Sequence, residues 1–289
     1  MSESVIADFV AKFNASLTER AEPVSGRVLL SQKRLVLASD AGRVTVALSK
    51  IFDVAVGHVP PDLGDFFDST VTIAFNQNGR RHVAAVEADD EKIGKFSTVL
   101  FKALLNGTTM TVKHPARVGG RVTGESFETA KLFLKPQSVQ FKGPDTGFSV
   151  DLSTVTNFER TVREIAGRDR EVLAVRHMRS GQALTSLAAI DSARKMSLLG
   201  RYLRLEYGDV VADLRDLDLG EAETELLVAV YSTGPGVSLP SFLDTDPSQV
   251  TMLLNDLQQK GLVADGEDGT ELTAKGRIVV SDALEDVNT

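Results

Sequence analysis

The residue types that carry enzyme chemistry are thinly spread in this chain. Four histidines, His58, His82, His114 and His177, stand far apart, with no His-x-x-x-His spacing and no neighbouring carboxylate to complete a metal-ligand set. Cysteine is absent, which excludes a disulfide, a thiolate metal site and a thiol nucleophile. Gly119-Gly120 lacks the Lys-Ser/Thr of a phosphate loop, and no Gly-x-Ser-x-Gly elbow occurs. Acidic pairs such as Asp89-Asp90 read most simply as helix starts. No catalytic, cofactor-binding or metal-binding residue is assigned, and an enzyme is not expected.

What the sequence does offer is guanidinium. The stretch "ERTVREIAGRDREVLAVRHMRSG" (159–181) crowds arginines, Arg160 and Arg163 among them, onto an expected strand pair and its turn. A helix beginning near Ser192 puts Met196, Leu199, Leu203 and Tyr207 on one face and Arg194, Arg201 and Arg204 on the other. Such a surface is either a solvated face or a dock for an acidic protein, because the arginine fork matches a carboxylate. The loop "GHVPPDLGDFFDST" (57–70) adds Phe66 and Phe67. They either fold under as a lid or stand out as an anchor for a partner.

The elements that must position these residues come in two copies. Short alternating runs from Arg27 to about residue 88, with a turn at Asn78-Gly79, read as antiparallel strands. "DDEKIGKFSTVLFKALLNG" then reads as a helix capped by Asp89 or Asp90, with Ile93, Phe96, Leu100 and Leu104 inward and a stop at Gly107. At an offset of 104 residues, "VLLSQKRLVL" (28–37) falls over "LFLKPQSVQF" (132–141), "VALSKI" (46–51) over "VDLSTV" (150–155), Val71 over Val175 and "VAAV" (83–86) over "LAAI" (187–190), and a helix again follows. Residues 4–17 read as an amphipathic helix capped by Ser4, with Val5, Ile6, Phe9, Phe13 and Leu17 on one stripe; it packs on its own domain or forms a homodimer contact.

The last segment has another design. "EAETELLVAVYST" (221–233) and "SLPSFLD" give two helices. Asp246 caps a third that carries Val250, Leu253, Leu254 and Leu257 inward and ends at Gly261. "DGEDGTEL" forms a wing tip, and Thr273 caps a last helix. The expected fold class is therefore α+β: two tandem pleckstrin-homology-like antiparallel β-barrel or sandwich units, each closed by a C-terminal helix, then a winged-helix domain. The expected divisions are 1–107, comprising the N-terminal helix and first unit, 108–217 and 218–289.

Charge decides what the winged helix is for. Net charge is −8 over 289 residues, but from Asp218 onward there are 14 acidic and 3 basic residues, a balance of −11. DNA affinity comes mainly from Lys and Arg on phosphates, and the third helix offers only Lys260. A DNA-binding regulator is thus the rival reading, and a protein-contact module is preferred. No polybasic cluster supports lipid binding, and no apolar run suits membrane insertion. The start "MSESVIADFVAKFN" is acidic where a signal peptide is basic, so a cytoplasmic protein is expected.

Several segments, "SGRVLLSQKRLVL", "HVPPDLGDFFDSTVTIAF", "VEADDEKIGKFSTVLFKALLNGT", "VKHPARVGGRV", "SARKMSLLGRYLRLEY" and "DPSQVTMLLNDLQQKGLV", together resemble the archaeal taxis family CheF, haloarchaeal members above all. The resemblance implies a non-catalytic adaptor that links the response regulator CheY, with CheC and CheD, to the archaellum motor-switch proteins. It brings no catalytic position. It makes the Arg-bearing surface of the second unit the natural dock for the acidic pocket of CheY.

Overall fold

The structure is a computed structural model that describes residues 4–16, 22–40, 42–61, 66–179, 182–215, 217–233, 238–266 and 269–287. The chain divides into two compact units. The first comprises residues 1–109, 131–134 and 190–205, and the second 110–130, 135–189 and 206–289.

The chain starts with a strand where a helix was expected. β1 (Val5–Ala15) pairs antiparallel with β2 (Val24–Ser31) on one side and with β7 (Arg80–Glu87) on the other, so that Phe13 stands opposite both Val24 and Val86. The segment contains apolar residues at both helical and strand spacings. Ala11, Phe13 and Ala15, two apart, are the ones buried. Two flanking strands supply the backbone partners, and β-branched and aromatic residues suit a pleated surface. Leu17 of the expected helix lies outside the described residues.

β3 (Arg34–Ser39), β4 (Gly42–Ala47), a 3-10 turn at Leu48–Lys50, β5 (Ile51–Val56) and β6 (Val71–Gln77) complete a seven-stranded sheet of order β4-β3-β2-β1-β7-β6-β5. The sheet is open, ending at β4 and β5, and is not a closed barrel. α1 (Asp90–Leu105) follows, capped by the Asp89 carboxylate, which accepts from the Lys92 amide at 2.9 Å. Ile93, Phe96, Leu100 and Leu104 are buried as expected, and Gly107 takes the left-handed φ of +75° that ends the helix.

The second sheet repeats this strand order. β8 (Thr109–Val118), the short β9 (Arg121–Val122), β10 (Glu128–Lys135), β11 (Ser138–Lys142), β12 (Gly147–Asp151), a 3-10 turn at Leu152–Thr154, β13 (Val155–Ile165), β14 (Arg168–Arg179) and β15 (Gln182–Ala189) run β12-β11-β10-β8-β15-β14-β13, with β9 on β8. It too is open. α2 (Ala193–Arg215) follows.

Strand register refines the repeat. Ile51 stands opposite Phe75, and Val155 opposite His177, with a bulge immediately after each first partner. The offset is 104 through β5 and β13 but 102 from β6 and β14 onward, because β13 and β14 join by a tight turn where the first copy carries its proline loop. Phe75 therefore corresponds to His177 and Ala84 to Ser186, two residues away from the sequence alignment.

The C-terminal segment holds α3 (Glu221–Thr233), α4 (Leu239–Leu243), α5 (Pro247–Gln259), the hairpin β16 (Val263–Gly266) with β17 (Gly269–Leu272), and α6 (Ala274–Val287). Leu226, Leu227, Val250, Leu257, Leu262 and Leu272 form its core. Asp246 caps α5 through the Ser248 amide at 2.8 Å, and Thr273 Oγ1 caps α6 by accepting from Gly276 N at 3.1 Å. Gly276 is required here, since a Cβ would meet the Leu262 carbonyl oxygen at 2.1 Å. Glu267 and Asp268 of the expected wing tip lie outside the described residues. Among the described residues, no helix is long and apolar enough to cross a membrane.

Candidate protein-contact surfaces

The three arginines placed on one helix face by sequence have three different fates. Arg194 is half-buried and donates from Nη1 to the carbonyls of Ile51 and Leu48, the latter at 3.3 Å. Burial pulls its pKa down from the usual arginine value. Arg201 holds Asp53 in a bidentate pair, Nε and Nη2 at 3.0 and 3.1 Å from the two carboxylate oxygens. Arg204 is exposed. The opposite face buries Met196, Leu199, Tyr202 and Leu203, and Tyr202 tilts against Phe101 with ring centroids 5.6 Å apart. Arg194 and Arg201 thus fasten α2 within the first unit, and only Arg204 faces solvent without such a tie.

Arg160 and Arg163 lie on the β13–β14 hairpin, whose turn uses Ala166 and Gly167 at φ +53° and +74°, a two-residue turn with both φ positive. Directly opposed residues share a face. Arg163 with Arg170, and Arg168 beside Ile165, occupy one face; Glu164 with Asp169, and Glu171 beside Val162, occupy the other. The hairpin therefore sorts its cations from its acids. Two residues break the sorting: Glu159 lies on the cationic face, and Arg160 lies on the acidic face and gives Nη2 to Glu171 at 2.8 Å. β13 is an edge strand, where charge also guards against unwanted pairing.

Phe66 and Phe67 part company. Phe67 is buried, with the Lys12 ammonium 5.1 Å from its ring centre, while Phe66 is 37% exposed and its carbonyl accepts from Lys12. Glu87 fixes the same turn by accepting from the Asp68 amide at 2.8 Å. Residues 62–65 of the loop lie outside the described residues.

In the C-terminal segment the sole cation of the third helix is spent internally. Lys260 donates to both carboxylate oxygens of Glu223, at 2.7 and 2.8 Å, and to the Asp218 carbonyl at 2.8 Å. Glu223 is 8% exposed, and the hydrogen bond from Lys260 lowers its pKa. Met252 of α5, Phe242 of α4 and Tyr231 of α3 are half or more exposed.

One cluster escaped sequence reasoning. His114 Nδ1 lies 2.7 Å and His177 Nε2 3.0 Å from Ser186 Oγ, and the His114 ring stacks on Phe148 at 4.0 Å. Burial, then the charges of His177 and Arg179, lowers the His114 pKa to about 4; burial and Arg179 lower that of His177. A serine between two neutral imidazoles can donate to one ring and accept from the other, which satisfies all three groups. Among the described residues, the hydrogen-bond partner of both rings is Ser186 rather than a carboxylate. No sequence signal pointed to it: the offset of 104 sets His177 over Ile73 and Ser186 over His82, and only strand register puts this polar pair where the first copy has Phe75 and Ala84.

A family model described as "Archaeal Chemotaxis signal transduction system protein F" matches residues 5–209. The chain is 48% identical to the taxis protein CheF2 of Halobacterium salinarum over 100% of both chains, and 29% identical to the taxis protein CheF1 of the same organism over 98% of each. A solved structure titled "Structure of the Spt16D Pob3N heterodimer" matches at 17% identity over 62% of this chain and 88% of that chain, with a TM-score of 0.25, which is too slight to bear on the fold. With a family model spanning two structural repeats and relatives alike from end to end, this chain belongs to the archaeal CheF family of chemotaxis signal-transduction proteins.

Proposed function

We propose that the protein is a non-catalytic cytoplasmic adaptor that links the response regulator CheY, with CheC and CheD, to the archaellum switch proteins. The two sheet-and-helix repeats are read as pleckstrin-homology-like units and the C-terminal segment as a winged helix used for protein contact, along the divisions 1–107, 108–217 and 218–289. Dimerisation is part of the same reading. The surface members left for partners are Arg163, Arg204 and Phe66, whereas Arg160, Arg194, Arg201 and Phe67 are engaged within the chain.

Lys260 carries the choice between this reading and a DNA-binding regulator. A reading helix whose one ammonium is held by two oxygens of Glu223 has no cation to give a phosphate, in a segment of net charge −11. The exposed Tyr231, Phe242 and Met252 suit a protein partner. Co-purification of the tagged full chain from native cytoplasm should recover CheY, CheC or CheD and archaellum switch proteins. A low-salt gel shift should show no duplex binding. Recovery of none of those proteins, or tight duplex binding, overturns the reading.

A further inference from the structure

The two ends of the first sheet are finished differently. Leu48 donates its amide to the Lys33 carbonyl at 2.8 Å, which makes 33 with 48 a hydrogen-bonded pair of the β3–β4 ladder. Such pairs alternate along an antiparallel ladder, so Gly42, Val44 and Val46 turn their N–H and C=O towards β3. Arg43, Thr45 and Ala47 turn theirs to the open side, where no hydrogen bond reaches them among the described residues. At the other end β5 is closed by its own chain: the Val54 amide goes to Asp53 Oδ1 at 3.0 Å, and the Ile51 carbonyl accepts from Arg194.

The second sheet is closed in the same way. α6 packs against β13. β12 carries Asp151 where β4 has Ala47; the Asp151 carbonyl accepts from Thr154 Oγ1 at 2.7 Å, and its carboxylate from the Ser153 amide at 2.9 Å. In the first sheet Lys50 stands in place of Thr154, and the matching turn has no side-chain cap. The backbone of β4 is thus left bare where its counterparts are engaged, and a bare strand edge is a template for another strand.

Beside β4 runs a groove of about 770 Å³, lined by Thr45, Ala47 and Lys50 and by Asn76, Gln77 and Asn78. Val46 and Phe75, both buried, lie beneath it. No carboxylate lines it. Lys50, Arg43 on the strand face of Thr45, and Arg80 beside the Asn78-Gly79 turn are exposed, and none enters an ion pair among the described residues. Asp40 lies at the turn before β4, away from the Lys50 end. An extended polypeptide brings alternating N–H and C=O groups to match the bare row, whereas a phosphate backbone brings no N–H for its carbonyls. The unpaired cations then favour acidic side chains.

We propose that β4 takes up an extended acidic segment of a partner protein as an added strand of the first sheet. The dock goes beyond the adaptor reading and is independent of which protein carries the segment. Its probe is a phage-displayed library of random peptides of about twelve residues, selected on the full chain at moderate salt. Enriched peptides should be acidic, and synthetic copies should bind in fluorescence-anisotropy titrations. Thr45→Pro removes an outward N–H without touching the β3 ladder and should weaken binding at least ~10-fold. Lys50→Glu should weaken it at least ~5-fold. Thr45→Val keeps the backbone row and should stay within about twofold. N-methylation of alternate peptide positions should abolish binding in one register and spare it in the other, a signature that holds even where Thr45→Pro does not fold. The dock is overturned if no peptide is enriched, if the enriched peptides are not acidic, or if both N-methylated registers bind as well as the parent. It is equally overturned if Lys50→Glu and a folded Thr45→Pro bind undiminished. A dimer of the free chain that Thr45→Pro dissolves would make the occupant a second copy and also overturn it. None of these outcomes bears on recovery of CheY, CheC or CheD by the full chain, so the adaptor reading is judged separately.

Discussion

Arg201 and Asp53, 148 residues apart in sequence, form a two-pronged ion pair at 3.0 and 3.1 Å that fixes the helix of the second repeat to β5 of the first. Both partners are partly exposed, so Arg201→Ala should cost no more than about 1 kcal/mol in a urea titration. Arg194→Ala should cost more, roughly 1–3 kcal/mol, because it strips the Leu48 and Ile51 carbonyls of a half-buried donor. Equal effects would show that the carbonyls find another donor.

Acid should act on the His114–Ser186–His177 cluster. Both imidazoles titrate lower in the folded chain than in the unfolded one, where the value is about 6.5. The unfolded state therefore binds more protons, and stability falls as pH drops from about 6.5 towards 4, by up to ~1.4 kcal/mol per pH unit for each ring. The triple variant His114→Leu/His177→Phe/Ser186→Ala, which copies the apolar character of the first repeat, should lose that slope in melts across this range. An unchanged slope would place the acid sensitivity elsewhere.

Removing Ser186 alone is the harsher change. Ser186→Ala leaves two largely buried ring nitrogens without their partner and should cost roughly 1–3 kcal/mol at neutral pH, read by chemical denaturation. The triple apolar variant should be less destabilised than this single one, since it removes every member of the network together.

The Lys260–Glu223 pair makes a prediction of opposite character. Lys260→Met leaves a buried carboxylate without its ammonium and should destabilise by roughly 1–3 kcal/mol. Glu223 titrates below its ordinary value because of that bond, so its contribution is present at neutral pH and is lost as pH falls below the ordinary carboxylate range. In Lys260→Met the acid dependence from this site should vanish. The variant should gain no affinity for duplex DNA, and a gain would revive the DNA reading.

Local chemistry was the legible part of the fold. Asp89, Asp246 and Thr273 announced helix starts by residue type, and each caps as its spacing implies. Residues 5–15 misled because Phe9 and Phe13 satisfy a helical period as readily as Ala11, Phe13 and Ala15 satisfy a strand period. The decision came from β2 and β7, which supply hydrogen bonds across the chain. The repeat was visible, but its two-residue slip was not, since apolar strands align almost as well out of step; only the pairing of Val155 with His177 reveals it. The arginines were visible as a crowd. Their sorting onto opposite faces of a hairpin depends on register, and the burial of Arg194 depends on carbonyls 143 and 146 residues away.

The interleaving of the two compact units along the chain limits how the molecule can be cut. Residues 131–134 and 190–205 belong with the first sheet, so a polypeptide halted at 107 reaches neither its last helix nor the backbone that meets Gly107 through Leu132 at 2.8 Å. Phe101, 1% exposed in the full chain, would lose the Tyr202 ring and open to water. During synthesis the opening hundred residues must wait, unfinished, for some ninety more before they can settle. Gene dissection at the repeat boundary should yield an aggregating stump rather than a domain.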